Sequence, residues 1–140
     1  MGHELTKERY EALAEFRYQI RRFQRFSDEV ARHADLEPQQ HQLMLAIKGS
    51  PEGRLTIGGI AERLQIQHHS AVELVARTTA RGLVTRSRGE EDRRKVYVEV
   101  TDLGADALRE LSAAHHQEML SAAPELIRVL QRIIADDPRD

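Results

Sequence analysis

The chain has 140 residues, 40% hydrophobic and 31% charged, with a formal net charge of −2; that is one domain's worth of chain, enough to bury a single core. The absence of cysteine excludes disulfides and thiol-based redox sensing. The longest apolar run, Leu43–Ile47, is far below the roughly 18 residues of a membrane span, and the first thirty residues are too polar for a signal peptide, so no membrane partner and a cytoplasmic location are expected.

Residues 6–33 read as one long helix. Tyr10, Leu13, Phe16 with Arg17, Ile20, Phe23 and Val30 lie close to a heptad seam, a pattern that marks an interhelical contact more often than a cofactor box. Five of the six aromatics (Tyr10, Phe16, Tyr18, Phe23, Phe26) fall here, so this helix has apolar surface to hide, against a partner or around a ligand. Asp35-Leu36-Glu37-Pro38 breaks it, and Pro38 suits the first position of a second helix, which carries Leu43, Met44 and Ile47 and stops at Gly49. Gly49–Gly53 is a loop by composition.

After a short strand, Thr56 is a helix N-cap, able to accept from the free N–H groups of the first turn. Ile57, Ile60, Ala61 and Leu64 mark one buried face. Gln65-Ile66-Gln67 is long enough only for a tight turn. A second periodic set follows at Ala71, Leu74, Val75 and Thr78, and Gly82 supplies a left-handed stop. Two helices joined this way form a helix-turn-helix. Leu83–Arg86 and the alternating Val96–Val100 are strands, joined by the charged segment SRGEEDRRK with Gly89 at an exposed hairpin tip. The central region, 36–100, is therefore a winged helix. Past it, Thr101 caps a helix with Leu103, Ala107, Leu108, Leu111 and Ala114 on one face, and Pro124 is expected to restart the chain into a last helix with Leu126, Leu130, Ile133 and Ile134. The fold class is mainly α with a small β wing, a single domain over 1–140. The terminal helices could pack within one chain or interlock with a second copy.

The distribution of charge matters more than its sum. Residues 68–95 hold seven Arg/Lys against four acids, a net +3, whereas residues 101–140 hold four arginines against eight acids, a net −4. In helix-turn-helix docking the N-terminal residues of the second helix reach base edges in the major groove. His68, His69 and Ser70 can hydrogen-bond bases or phosphates, Val72 can touch a thymine methyl, and Glu73 can accept from cytosine N4. Arg77 can reach a phosphate or a guanine. On the hairpin, Arg86, Arg88, Arg93, Arg94 and Lys95 flank a tip wide enough to straddle a sugar–phosphate rail, and an arginine there can enter a narrow minor groove.

Leu55-Thr56-Ile57, Ile60–Leu64, Arg81-Gly82-Leu83-Val84, Asp92-Arg93-Arg94 and Thr101 with Gly104 together resemble the MarR family of bacterial transcription regulators. Glu37 stands where that family has a threonine cap, and Thr78 where it prefers leucine. The resemblance implies a homodimer built by helices over 6–33 and 102–135, two winged helices reading a pseudo-palindromic double-stranded operator, and a repressor's role. It also makes Asp92 and Arg94 the family's Asp-x-Arg wing motif, the carboxylate holding the guanidinium in one rotamer before DNA arrives. Arg94 is then the groove reader and Asp92 its positioner. Small anionic aromatics often bind in this family between the first helices and the winged helix; here Phe16, Arg17, Ile20, His41 and Met44 would line such a pocket.

Two other readings stay open. Seven histidines invite a metal-responsive sensor, with His115 and Glu118 one helical turn apart, yet neither a His-Glu-x-x-His box nor a cysteine ligand is present. A winged helix used only for protein–protein contact is the other. Without a glycine-rich phosphate loop or a serine nucleophile motif, no enzyme and no cofactor is expected.

Overall fold

The computed structural model describes residues 6–135. The elements run α1 (Lys7–His33), α2 (Pro38–Lys48), β1 (Leu55–Thr56), α3 (Ile57–Leu64), α4 (His68–Ala80), β2 (Val84–Arg88), β3 (Val96–Val100) and α5 (Asp102–Ala135). They form two compact units, one spanning Val30–Ser112 and the other made of the remaining parts of α1 and α5.

The Val30–Ser112 unit is the winged helix. Its sheet has the order β1-β3-β2, all antiparallel, with Leu55 opposite Val98 and Val84 opposite Val100. The hairpin thus forms one side of the sheet, and the two-residue β1 closes the other. The core gathers Leu43, Met44, Ile47, Ile60, Leu74 and Val98, each fully enclosed. On α4 the whole set Ala71, Leu74, Val75 and Thr78 is buried. Thr78 is accommodated because its hydroxyl donates back to the Leu74 carbonyl at 2.7 Å, which satisfies the one polar group a leucine would not have brought.

Helix ends explain the turns. Thr56 caps α3 by accepting from the Gly59 N–H at 3.1 Å, and Thr101 caps α5 by accepting from the Gly104 N–H at 3.1 Å. Three helices stop in the same way. Asp35 (φ 60°), Gln65 (φ 54°) and Gly82 (φ 75°) are left-handed. The next residue of each donates five positions back: Leu36 to Ala31 at 2.9 Å, Ile66 to Ala61 at 3.0 Å and Leu83 to Thr78 at 3.2 Å. These bonds satisfy carbonyls that a helix end leaves open, and the donor residue is apolar each time and packs into or against the core. That packing offsets the roughly 1–2 kcal/mol that a side chain costs at a left-handed position.

The expected stop at Pro124 does not occur. The helix runs unbroken from Asp102 to Ala135 with Pro124 inside it. Proline removes one backbone donor and crowds the carbonyl four residues back. Both Leu120 and Pro124 are exposed, so water can serve the orphaned carbonyl and the helix continues.

In the second unit α1 and α5 meet at Ser27 and His115, whose Oγ and Nε2 are 2.8 Å apart. Phe23 and Phe26 set their rings edge-on to the same imidazole. Apart from Phe23, the face of α1 that closes here is not the apolar seam. Ala12, Gln19 and Ser27 are buried, while Phe16, Ile20 and Phe23 are only half-buried and Tyr10 and Leu13 are exposed. On α5, Leu120 and Ile134 remain 65% and 66% exposed.

Candidate nucleic-acid interface

On α4 the buried face leaves His68, His69, Val72, Glu73 and Arg77 exposed and Ser70 half-buried. The N-cap residue Gln67 makes no side-chain cap bond. The first-turn N–H groups of α4 therefore keep their capacity to donate, which suits an anion at a helix N-terminus. His69, Glu73 and Arg77 lie four residues apart and form one stripe along the exposed face.

Arg77 is not simply directed outward. Its Nε donates to Glu37 Oε2 at 3.3 Å, between side chains about half exposed. One turn further, Arg81 Nη2 donates to the Asp35 carbonyl at 2.6 Å and Nη1 to Gln40 Oε1 at 2.9 Å. Gln40, 1% exposed, also accepts from the Glu37 N–H at 3.2 Å. The C-terminal half of α4 is thereby tied to the start of α2. Sequence reading missed Gln40 and Arg81 as a joint because their separation of 41 residues leaves no local periodicity to mark them. Glu37 does occupy the N-cap position of α2, with extended backbone (φ −68°, ψ 139°), and its carboxylate serves Arg77.

The wing holds its tip by several contacts. Arg94 Nε and backbone N–H both donate to Asp92 Oδ1, at 3.2 and 3.0 Å, and Nη2 approaches Oδ2 at 3.4 Å. These bonds, the guanidinium's first and the backbone's second, hold the Asp92 carboxyl below the usual carboxylate range. The Arg94 side chain is nonetheless 93% exposed, oriented at its base and open to solvent at its head. Arg88 turns inward and donates to the Arg93 carbonyl at 3.0 Å, so it braces the hairpin. Gly89 is needed there: a Cβ would lie 2.7 Å from the Asp92 carbonyl oxygen and 3.1 Å from the Tyr97 ring. Tyr97 in turn carries the Arg54 guanidinium 3.9 Å above its ring centre, a cation–π contact. Arg86, Arg93 and Lys95 are exposed and free to meet an anion.

The residues expected around a small ligand divide between the two units. Phe16, Arg17 and Ile20 line a groove of about 440 Å³ on α1, together with Leu13, Arg21 and Gln24. His41 and Met44 are buried in the winged helix at 3% and 0% exposure. Among the described residues no three His, Asp or Glu side chains converge on a metal-binding cluster, and no helix is long and apolar enough to cross a membrane.

Residues 34–95 match the MarR family model. No curated protein matches the sequence. Among solved structures the chain is similar to AbsC, a MarR family transcriptional regulator from Streptomyces coelicolor, with a TM-score of 0.77 at 17% identity over 89% of this chain and 84% of that one. A mutant MarR from E. coli complexed with operator DNA has a TM-score of 0.66 at 18% identity, covering 84% of this chain and 89% of that one. A mutant MepR from S. aureus bound to an oligodeoxyribonucleotide has a TM-score of 0.65 at 18% identity, covering 86% and 84%. These likenesses concern the fold, and the family match concerns the segment that holds the helix-turn-helix and the wing: residues 34–95 lie within the winged helix, and their sequence matches the MarR family model.

Proposed function

We propose that this chain is a cytoplasmic homodimeric repressor whose winged helices read a pseudo-palindromic duplex. The observation that carries the reading is the pairing, within the Val30–Ser112 unit, of an uncapped α4 N-terminus with a hairpin whose Arg94 is pre-set by Asp92. Phosphates supply most of the affinity and salt dependence of such complexes, base edges the sequence information. His68, His69, Ser70, Val72 and Glu73 are the base readers; Arg86, Arg93 and Lys95 meet phosphates; Arg94 enters the minor groove. Arg88 and Asp92 act by holding the tip. That proteins of similar fold have been seen complexed with operator DNA or bound to an oligodeoxyribonucleotide supports the same use here.

Dimerisation through α1 and α5 would cover the apolar side chains that both helices leave in water, Tyr10, Leu13, Leu120 and Ile134 among them. A two-fold pair presents two equal heads, so half-sites lie about 10 base pairs apart. A small anionic aromatic taken up beside Phe16, Arg17 and Ile20 would release the operator by favouring a head spacing that misfits it. In vitro selection from a random duplex pool tests the reading. An enriched inverted repeat, bound with log K falling steeply against log salt, is the expected result; no enrichment and no salt-dependent binding would sink it. Titration of phenolic acids into the selected complex tests release, and a broad panel without effect removes that part.

A further inference from the structure

Arg77 and Arg81 sit one turn apart on α4, yet they are held very differently. Arg81 makes two hydrogen bonds into the start of α2, one to the enclosed Gln40 and one to a backbone carbonyl. Arg77 has a single contact, to the carboxylate of Glu37 at 3.3 Å, with the two side chains 45% and 50% exposed. Arg81 therefore fixes α4 against α2 whether or not Arg77 stays paired. A solvent-exposed pair with one hydrogen bond is weak and readily exchanged. Arg77 also lies on the exposed stripe with His69 and Glu73, and it reaches past Glu73, one turn before it, to a carboxylate 40 residues away.

We infer that Glu37 is an internal stand-in for a DNA phosphate: it occupies the Arg77 guanidinium and suppresses indiscriminate binding, and Arg77 leaves it for phosphate only in a seated complex. The inference rests on the DNA-binding reading above. Carboxylate and phosphate present the same acceptor oxygens to a guanidinium, so the exchange needs no new geometry at the arginine. Non-specific affinity comes almost wholly from cations that displace counterions from phosphates. Neutralising one arginine of the interface internally lowers that affinity, while a complex with many other contacts can offset the loss. Glu37 is in this sense a specificity-determining residue that touches no base.

The test measures binding of a random-sequence duplex across a salt series for the wild type, Glu37→Gln, Arg77→Ala and the double variant. Glu37→Gln is expected to bind roughly 2–5-fold more tightly, with the slope of log K against log salt steeper by about 0.9, one added phosphate contact. In the Arg77→Ala background the same change is expected to do almost nothing. Because Glu37 is the N-cap residue of α2, Glu37→Ser, which keeps a capping side chain without the charge, serves if the glutamine variant melts early. An unchanged slope in both Glu37 variants overturns the inference. So does a gain that survives in the Arg77→Ala background, since removal of any negative charge would then explain it. A wild type that ignores duplex DNA at every salt concentration instead overturns the DNA-binding reading itself, and the exchange with it.

Discussion

The two units of this chain treat their apolar side chains in opposite ways. The winged helix encloses Leu43, Met44, Ile47 and Leu74 completely and leaves few large apolar side chains, Leu45 and Leu103 among them, exposed. The unit formed by α1 and α5 buries mostly small or polar residues (Ala12, Gln19, Ser27), with Val129 its larger apolar exception, while Leu120, Ile127 and Ile134 stand in water. The second unit leaves large apolar side chains exposed that the proposed dimer would cover.

The largest effects should come from breaking the winged helix. Leu74→Ala would leave a cavity in an enclosed core and cost about 2–5 kcal/mol, seen as an early melt that does not depend on protein concentration. Gly104 is nearly as exposed to damage. A Cβ there would lie 2.1 Å from the Leu83 carbonyl oxygen and 2.8 Å from Val100, so Gly104→Ala must shift the start of α5 away from the sheet, costing on the order of 1–3 kcal/mol.

On the outward side of that unit, Arg94→Ala should weaken operator binding by about 1–3 kcal/mol without altering the melt, and wild-type affinity would remove Arg94 from the groove. The unit of α1 and α5 gives the opposite signature. Leu120→Ala should weaken self-association by on the order of 1 kcal/mol and leave the winged helix intact. Sedimentation equilibrium would show it, and a wild type that is monomeric at all concentrations would undo the contrast between the units.

The smallest effect concerns pH. Asp92 has a depressed pKa in the folded chain, so its ionised form, and the Arg94 orientation it provides, is complete above the usual carboxylate range, persists below it, and is lost only as pH falls through the depressed value. Wild type and Asp92→Asn should therefore differ slightly in operator affinity at neutral pH and converge in acid. A difference that persists in acid would assign Asp92 a role other than holding Arg94.

Local pattern made much of this molecule legible. Thr56 and Thr101 are caps because a hydroxyl before an apolar period has first-turn N–H groups to accept from, and both bonds are present. Gly82 ends α4 with positive φ. The outward set on α4 follows from its buried set by helical geometry alone. The helix ends at Asp35 and Gln65 were legible as a break and a tight turn, but their left-handed form was not, because both positions carry side chains; the packing of Leu36 and Ile66 into or against the core decides it. Pro124 misled for the converse reason: a breaker in a sequence is only a cost, and an exposed helix can bear it.

Composition, period and capping chemistry determined that this chain would make a helix-turn-helix with a charged wing, since each depends on neighbours within a few residues. Tertiary structure alone decided where the guanidinium groups go. Arg77 meets Glu37 and Arg81 meets Gln40 across 40 and 41 residues, Arg88 turns in to brace the tip, and Arg54 lies on Tyr97. A long cationic side chain takes whatever acceptor the fold brings within reach, and no local pattern encodes that reach.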